Sequence, residues 1–360
     1  MMDRGKARSA IWLPSVAAGC FLLLRAAVSL GSVTLSPEVE SCLTCHSNKQ
    51  LELVLPSGEK RSLFVDARHF AGSIHGDKLR CTDCHRDIER YPHPARKFRS
   101  LRDFTLAYYE SCKSCHFDNY TKTLDGVHYV ILSAGDSRAP LCVDCHGAHD
   151  VTSPAVPRSK ISQTCSRCHQ EVYQSYAQSV HGKALLQQEN VDVPVCTDCH
   201  RSHDTEDPRT VAFHLKTPDL CARCHTDEKL MGKYGLSTGV LKTYLKDFHG
   251  VTASFHRQEQ TASAAFTAVC TDCHGVHDIL PVKDPRSAVM KANLVKVCRK
   301  CHADATENFP AAWLSHYEPS PKKAPLVYYV RLFYWIFIPL VVLGLALQIL
   351  LHIWRVVVNR

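Results

Sequence analysis

The chain has 360 residues, among them 19 cysteines, 22 histidines and only four methionines, and its formal net charge is +8. This much cysteine excludes an ordinary cytosolic domain and leaves a disulfide scaffold, a zinc array or covalent cofactor attachment. The positive charge does not indicate a nucleic-acid partner, because lysine and arginine are scattered along the sequence without interleaved aromatic residues.

The N-terminus has the pattern of an export signal. A basic start, MMDRGKAR, precedes an apolar stretch at 9–24 and small residues at 29–31. We predict a signal peptide over residues 1–31, with an uncleaved anchor as the alternative. Cys20 matches a lipoprotein site only weakly, because the apolar run continues past it, so we interpret it as part of that run.

Eighteen cysteines fall into nine copies of the motif C-x-x-C-H, numbered I to IX in chain order. Disulfide cysteines have no fixed neighbours, and zinc does not require a histidine directly after the second cysteine. Covalent c-type haem does, because two thiols form thioethers and the adjacent imidazole binds the iron. We therefore predict nine covalently bound c-type haems. The attachment residues are Cys42 and Cys45, Cys81 and Cys84, Cys112 and Cys115, Cys142 and Cys145, Cys165 and Cys168, Cys196 and Cys199, Cys221 and Cys224, Cys270 and Cys273, and Cys298 and Cys301. The proximal iron ligands are His46, His85, His116, His146, His169, His200, His225, His274 and His302.

The motifs are of two alternating kinds. Motifs II, IV, VI and VIII read C-x-D-C-H, and the other five lack the aspartate. One leading motif followed by four pairs accounts for the body of the chain, residues 32–325. The spacing between pairs is irregular, so the sequence predicts a repeated haem-pair unit with variable loops instead of a strict solenoid.

A further histidine follows each motif, and we call these nine residues the follower histidines. In motif V the intervening residues look helical, and Val172, Tyr176 and Val180 form a four-residue repeat that predicts one buried face. His93 has the most divergent spacing. We predict that all nine are distal iron ligands, which gives bis-histidine haems of low potential. They are His75, His93, His128, His149, His181, His203, His249, His277 and His316.

The tether lengths bear on which haem each follower serves. Three residues separate His277 from His274 and reach at most about 10 Å, too short to pass around a haem edge to its other face. About twelve residues of helix carry His181 roughly 18 Å away from His169. We expect both to bind neighbouring haems. His69, His214 and His256 are interpreted as ordinary surface or hydrogen-bonded histidines.

The C-terminus carries one long apolar segment. Residues 332–353 contain no formal charge and are flanked by tyrosine and tryptophan, which is typical of a membrane span. We predict a transmembrane helix at 326–354 and a cytoplasmic tail at 355–360. His352, near the end of this helix, is a candidate contact for a b-type haem or a quinone, with a plain interfacial role as the alternative.

About 30 residues per haem are too few for a conventional apolar core around each cofactor. The predicted fold is therefore mostly α-helical and irregular, with short helices and loops around nine closely packed haems, and one C-terminal transmembrane helix.

The motifs, the C-x-D-C-H followers and the terminal helix resemble membrane-anchored periplasmic multihaem c-type cytochromes of anaerobic respiration. The resemblance implies a haem domain in the periplasm, tethered to the bacterial inner membrane. It also implies electron transfer between the quinone pool and periplasmic or outer acceptors. The expected partners are a membrane cytochrome b or quinol-oxidising subunit, and periplasmic redox proteins. An electron carrier is favoured over an enzyme that reduces a small nitrogen or sulfur compound, because such an enzyme needs an open iron position.

Overall fold

The computed structural model describes residues 35–259, 267–312 and 316–359. The predicted signal peptide at 1–31, with Cys20, lies outside the described residues.

The described chain is mostly short α-helices joined by loops, as the sequence predicts. The first nine are α1 Pro37–His46, α2 Ala67–Ala71, α3 Cys81–Cys84, α4 Leu101–Lys113, α5 Phe117–Leu124, α6 Val127–Ser133, α7 Cys142–His146, α8 Ser159–Ser166 and α9 Gln170–Gln178. The next nine are α10 Val180–Gln188, α11 Cys196–His200, α12 Val211–His225, α13 Glu228–Gly232, α14 Val240–Tyr244, α15 Phe248–Glu259, α16 Cys270–His274, α17 Leu294–Cys298 and α18 Pro325–Val358. A 3-10 helix spans Phe309–Ala312.

A small antiparallel hairpin follows the first motif, and the sequence did not predict it. Strands β1 Glu52–Val54 and β2 Lys60–Ser62 pair with Leu53 opposite Arg61. The hairpin connects to motif I, because Leu63 accepts a hydrogen bond from the His46 ring over 2.8 Å. It therefore fixes the orientation of the first motif histidine.

Among the described residues, the buried apolar side chains that pack against each other form only small clusters. One contains Tyr176, Leu185 and Val195, and another contains only Leu215 and Val269. The buried face predicted after motif V is wrong for Val172 and Val180, which are 40% and 39% exposed, and Val180 begins a separate helix, α10. Both line a cavity instead of packing on protein.

Helix α18 is 34 residues long, and an 18-residue stretch within it has a mean hydropathy of 2.5 and no buried side chain, which is compatible with crossing a bilayer. The predicted span at 326–354 falls within it. Glu318, shortly before the helix, accepts ion pairs from Lys242 at 2.9 Å and Lys246 at 3.4 Å. These contacts connect the start of α18 to the body near α14.

Candidate haem site

The C-x-D-C-H motifs each form a short helix that is capped by the aspartate of the motif. The carboxylate accepts a hydrogen bond from the backbone N–H three residues earlier, which satisfies a donor that the first helical turn leaves unpaired. These contacts are Asp83 with Arg80 (2.7 Å), Asp144 with Leu141 (2.7 Å), Asp198 with Val195 (2.6 Å) and Asp272 with Val269 (2.7 Å).

A basic side chain from the segment of the preceding motif approaches three of these aspartates. Arg102 lies 3.1 Å from Asp144, Arg158 lies 2.5 Å from Asp198, and His214 lies 3.4 Å from Asp272. The aspartate therefore serves twice, as the cap of its own helix and as the contact for the helix of the neighbouring motif.

Replacing Asp198 tests this double role. We expect Asp198→Ala to lower the free energy of unfolding by about 2 kcal/mol, most of it from the lost cap, because a partly exposed ion pair contributes little. Asp198→Asn keeps an acceptor oxygen for Val195 and should lose less than half as much. Denaturant unfolding followed by circular dichroism measures both; equal losses in the two variants would contradict the capping role.

Motifs I, III, V and VII lie at the ends of the longer helices α1, α4, α8 and α12, and two of them contact the motif before them through an arginine. Arg167 of motif V donates to the carbonyl of Asp144 over 2.8 Å, and Arg223 of motif VII donates to the carbonyl of Asp198 over 2.8 Å. The alternation of aspartate and arginine before the second cysteine thus joins motif IV to V and motif VI to VII.

Each motif histidine lies opposite one follower histidine. The distances between ring centres are 6.1 Å for His46 and His93, 6.1 Å for His85 and His149, 6.2 Å for His116 and His75, 6.0 Å for His146 and His203, 6.2 Å for His169 and His128, 5.9 Å for His200 and His277, 6.3 Å for His225 and His181, 6.1 Å for His274 and His316, and 6.3 Å for His302 and His249.

These distances fit a metal ion between the two rings. Two metal–nitrogen bonds of about 2.0–2.1 Å, with about 1.1 Å from each nitrogen to its ring centre, give about 6.3 Å. All nine pairs are within a few tenths of an ångström of that value, and every pair joins two different motif segments. At each motif the two imidazoles are therefore placed so that they could hold one metal ion between them.

The pairing of followers with motifs has a regular order. The followers of motifs I, III, V and VII pair with the next odd-numbered motif, and those of IV, VI and VIII pair with the preceding even-numbered motif. At the ends, His93 of segment II pairs with motif I, and His316 of segment IX pairs with motif VIII. If the follower of each motif is traced to the motif it pairs with, the path passes through all nine motifs once and returns to motif I.

A continuous cavity of about 3150 Å³ separates the rings. Its wall includes the histidines of motifs I to VIII and eight of the nine followers, together with many apolar side chains. Burial lowers the pKa of His85 to about 4 and that of His181 to about 4. Such imidazoles are neutral at pH 7, which is the form that ligates a metal.

The family model that describes the doubled C-x-x-C-H motif matches residues 134–174 and 189–230. The first stretch contains motifs IV and V, and the second contains motifs VI and VII. The match indicates a multihaem c-type cytochrome. No curated protein and no solved structure matches the chain. The two matched stretches coincide with two of the four pairs that the alternating motifs predict.

The nine motifs are arranged in chain order. The first cysteines of successive motifs lie within side-chain hydrogen-bonding range in four places: Cys42 with Cys81, Cys112 with Cys142, Cys165 with Cys196, and Cys221 with Cys270. Between these contacts the second cysteine of one motif lies near the next motif: Cys84 by Cys112, Cys145 by Cys168, Cys199 by Cys221, and Cys273 by Cys298. The motifs therefore form one row from I to IX.

The histidines left over by the sequence interpretation have protein partners. His214 lies 2.9 Å from the carbonyl of Thr267, and His256 is hydrogen bonded to the hydroxyl of the same threonine. His69 lies 3.9 Å from Asp66. The sequence interpretation missed the contact of His214 with Asp272. The spacing could have indicated it, because His214 precedes Cys221 by seven residues, just as Arg158 precedes Cys165.

Proposed function

We propose that this protein is an electron-transfer cytochrome that binds nine haems, each iron being ligated by one motif histidine and one follower histidine. The nine ring pairs at 5.9 to 6.3 Å support this proposal most strongly. Bound haem supplies one-electron redox chemistry at its iron. The chain attaches each haem by two cysteines, holds an imidazole on both faces of the iron, and lines the space between with apolar side chains.

The same ring pairs favour a carrier over an enzyme. An imidazole on each side of the iron leaves no position for a nitrogen or sulfur substrate, and all nine motif histidines have such a partner. Two histidines in place of histidine and methionine also keep the potentials low. Low potentials suit electron exchange with quinols and with anaerobic acceptors.

We further propose that α18 tethers the haem domain to the periplasmic face of the bacterial inner membrane. Motifs VIII and IX then lie at the membrane end of the row, because His316 and Glu318 immediately precede α18. Electrons pass between the quinone pool at this end and periplasmic or outer acceptors at the motif I end. A membrane cytochrome b or quinol-oxidising subunit supplies the contact with quinone.

His352 is the residue of α18 that we assign to this membrane contact. It is exposed on the helix and borders a small cavity with Gln348 and Arg355. If the assignment holds, His352→Ala lowers quinol-dependent reduction while the covalent haem content is unchanged. Unchanged reduction would leave only an interfacial role.

Haem count and spin state of the purified full-length protein test the main proposal. Intact mass should show nine covalent haems, and electron paramagnetic resonance should show low-spin ferric iron throughout. Carbon monoxide should not bind to the reduced protein. Fewer than nine haems, or a high-spin haem that binds carbon monoxide, nitrite or sulfite, would contradict the bis-histidine carrier.

A further inference from the structure

We propose that the surface over motif I is the docking site for an acidic redox protein. The inference rests on the proposed electron-transfer function. It identifies the surface at which electrons pass between this protein and a soluble partner. It follows from three observations: where the row of motifs ends, which charges surround that end, and how the loop that carries them is held.

The row ends at motif I. Cys42 faces motif II through Cys81. In motifs III and V the second cysteine also faces the preceding motif, whereas residues 1–41 contain no C-x-x-C-H motif that could lie before motif I. Motif I is also the end away from Glu318 and α18. A soluble partner therefore reaches motif I without approaching the membrane.

The loop of residues 86–99 covers this end and is basic. It contributes His93, the ring opposite His46 at 6.1 Å. Within these fourteen residues the chain has five arginines and lysines against two acidic residues. Arg90 and Lys97 are exposed, and the side chain of Arg99 is 92% exposed. A cationic surface beside a terminal haem attracts an anionic partner over distances of about a Debye length, ~10 Å at 0.1 M salt.

The loop is held in a fixed arrangement by Arg96. This residue forms an ion pair with Asp87 and a hydrogen bond with the Tyr108 hydroxyl on α4. Its guanidinium also lies 5.2 Å from the centre of the Tyr108 ring and 5.3 Å from that of Phe98. Arg96 thus attaches the loop to the body, while the three exposed cations named above remain at the surface. Tyr91, 52% exposed among them, is the type of aromatic residue that protein interfaces favour.

This concentration of charge is local. Residues 36–321 contain 34 basic and 34 acidic residues, so the body of the chain is neutral overall. Bound haem adds about two carboxylates per group. The loaded body is therefore anionic as a whole, and only a cationic patch gives an acidic partner a preferred place to dock.

A second basic group, with Lys283, Lys291 and Lys296, lies in the chain segment that leads to motif IX and is exposed. It has the same number of charges and also neighbours a haem motif. It belongs to the end of the row next to α18, where a bilayer and a membrane partner restrict access. This group provides a matched control for the docking proposal.

The test uses the full-length haem-loaded protein in neutral-lipid nanodiscs and oxidised flavodoxin, an acidic flavoprotein, as the probe. One variant combines Arg90→Glu, Lys97→Glu and Arg99→Glu; the control combines Lys283→Glu, Lys291→Glu and Lys296→Glu. Calorimetry at low ionic strength measures binding without electron transfer. Stopped-flow reduction by flavodoxin hydroquinone and by photoreduced lumiflavin, a small neutral reductant, measures access to the haems.

We expect the motif I variant to bind flavodoxin at least about tenfold more weakly and to be reduced by it correspondingly more slowly. The control should change less than about twofold, and high salt should remove the difference. No binding by the unaltered protein, equal losses in both variants, or a larger loss in the control would overturn the docking site. Lumiflavin should reduce all three proteins equally; if it reduces none, the electron-transfer function itself has failed.

Discussion

A haem-free form of this chain will not unfold as one cooperative unit. Among the described residues only 18 apolar side chains are buried, or two for each motif. Their burial contributes a few kcal/mol per motif, which does not offset the backbone entropy lost by about 30 residues. Many of the other apolar side chains of the body line the cavity of about 3150 Å³ and stay in contact with water until haem fills it.

Expression without the haem-attachment machinery provides the sample for this experiment. We expect low helix content, no sigmoidal thermal transition by circular dichroism, and complete amide exchange within minutes. A matched variant, Cys42→Ser with Cys45→Ser, loses only the haem at the end of the row and should keep a cooperative transition. A sharp transition with full helix content in the haem-free chain would show that the polypeptide has a sufficient core of its own.

The sequence predicts the type of fold because the haem motif imposes its own local structure. The five residues of a C-x-D-C-H motif fold into one helical turn, and the aspartate that distinguishes the motif caps that turn. The alternation of motifs also predicts the pairs, two of which the family model for doubled C-x-x-C-H motifs matches. The cap lies within three residues of the chain, and the two motifs of each matched pair begin only 23 or 25 residues apart, so spacing is informative in both cases.

The partner of each follower histidine could not be predicted in the same way. Tether length excludes His274 as the partner of His277 but does not select His200 from the other motif histidines. The pairing of His93 with His46 depends on how the loop at 86–99 folds back over motif I, and nothing in its local sequence encodes this. Long-range placement of this kind results from the packing of whole segments.

Burial was the least predictable property. Tyr176, Val172 and Val180 share a helical repeat, yet only Tyr176 packs on protein. The periodicity correctly indicates an apolar face, but it does not distinguish a face that meets protein from one that lines a cofactor cavity. The hairpin of β1 and β2 was missed because each strand has only three residues, and one of them, β2, is fully exposed.

Removal of one follower histidine will leave a vacant coordination position on the haem iron of a distant motif, and not on the iron of its own segment. His181 follows motif V, but its ring lies opposite His225 of motif VII at 6.3 Å. We expect His181→Ala to retain nine haems and to gain one five-coordinate, high-spin haem that binds one carbon monoxide per molecule. The physical reason is that the alanine leaves one face of that iron without a ligand. His214→Ala, which removes a histidine bonded to Thr267, should bind none.

Deleting one haem at a time then identifies the opened iron. When Cys221→Ser and Cys224→Ser are added to His181→Ala, the haem of motif VII is lost and the carbon monoxide signal should disappear. When Cys165→Ser and Cys168→Ser are added instead, the haem of motif V is lost and the signal should remain. Mass spectrometry confirms eight haems in each case, so loss of the signal reports which haem was removed. A signal that disappears with motif V would mean that His181 ligates the haem of its own segment. The order in which followers pair with motifs would then be wrong.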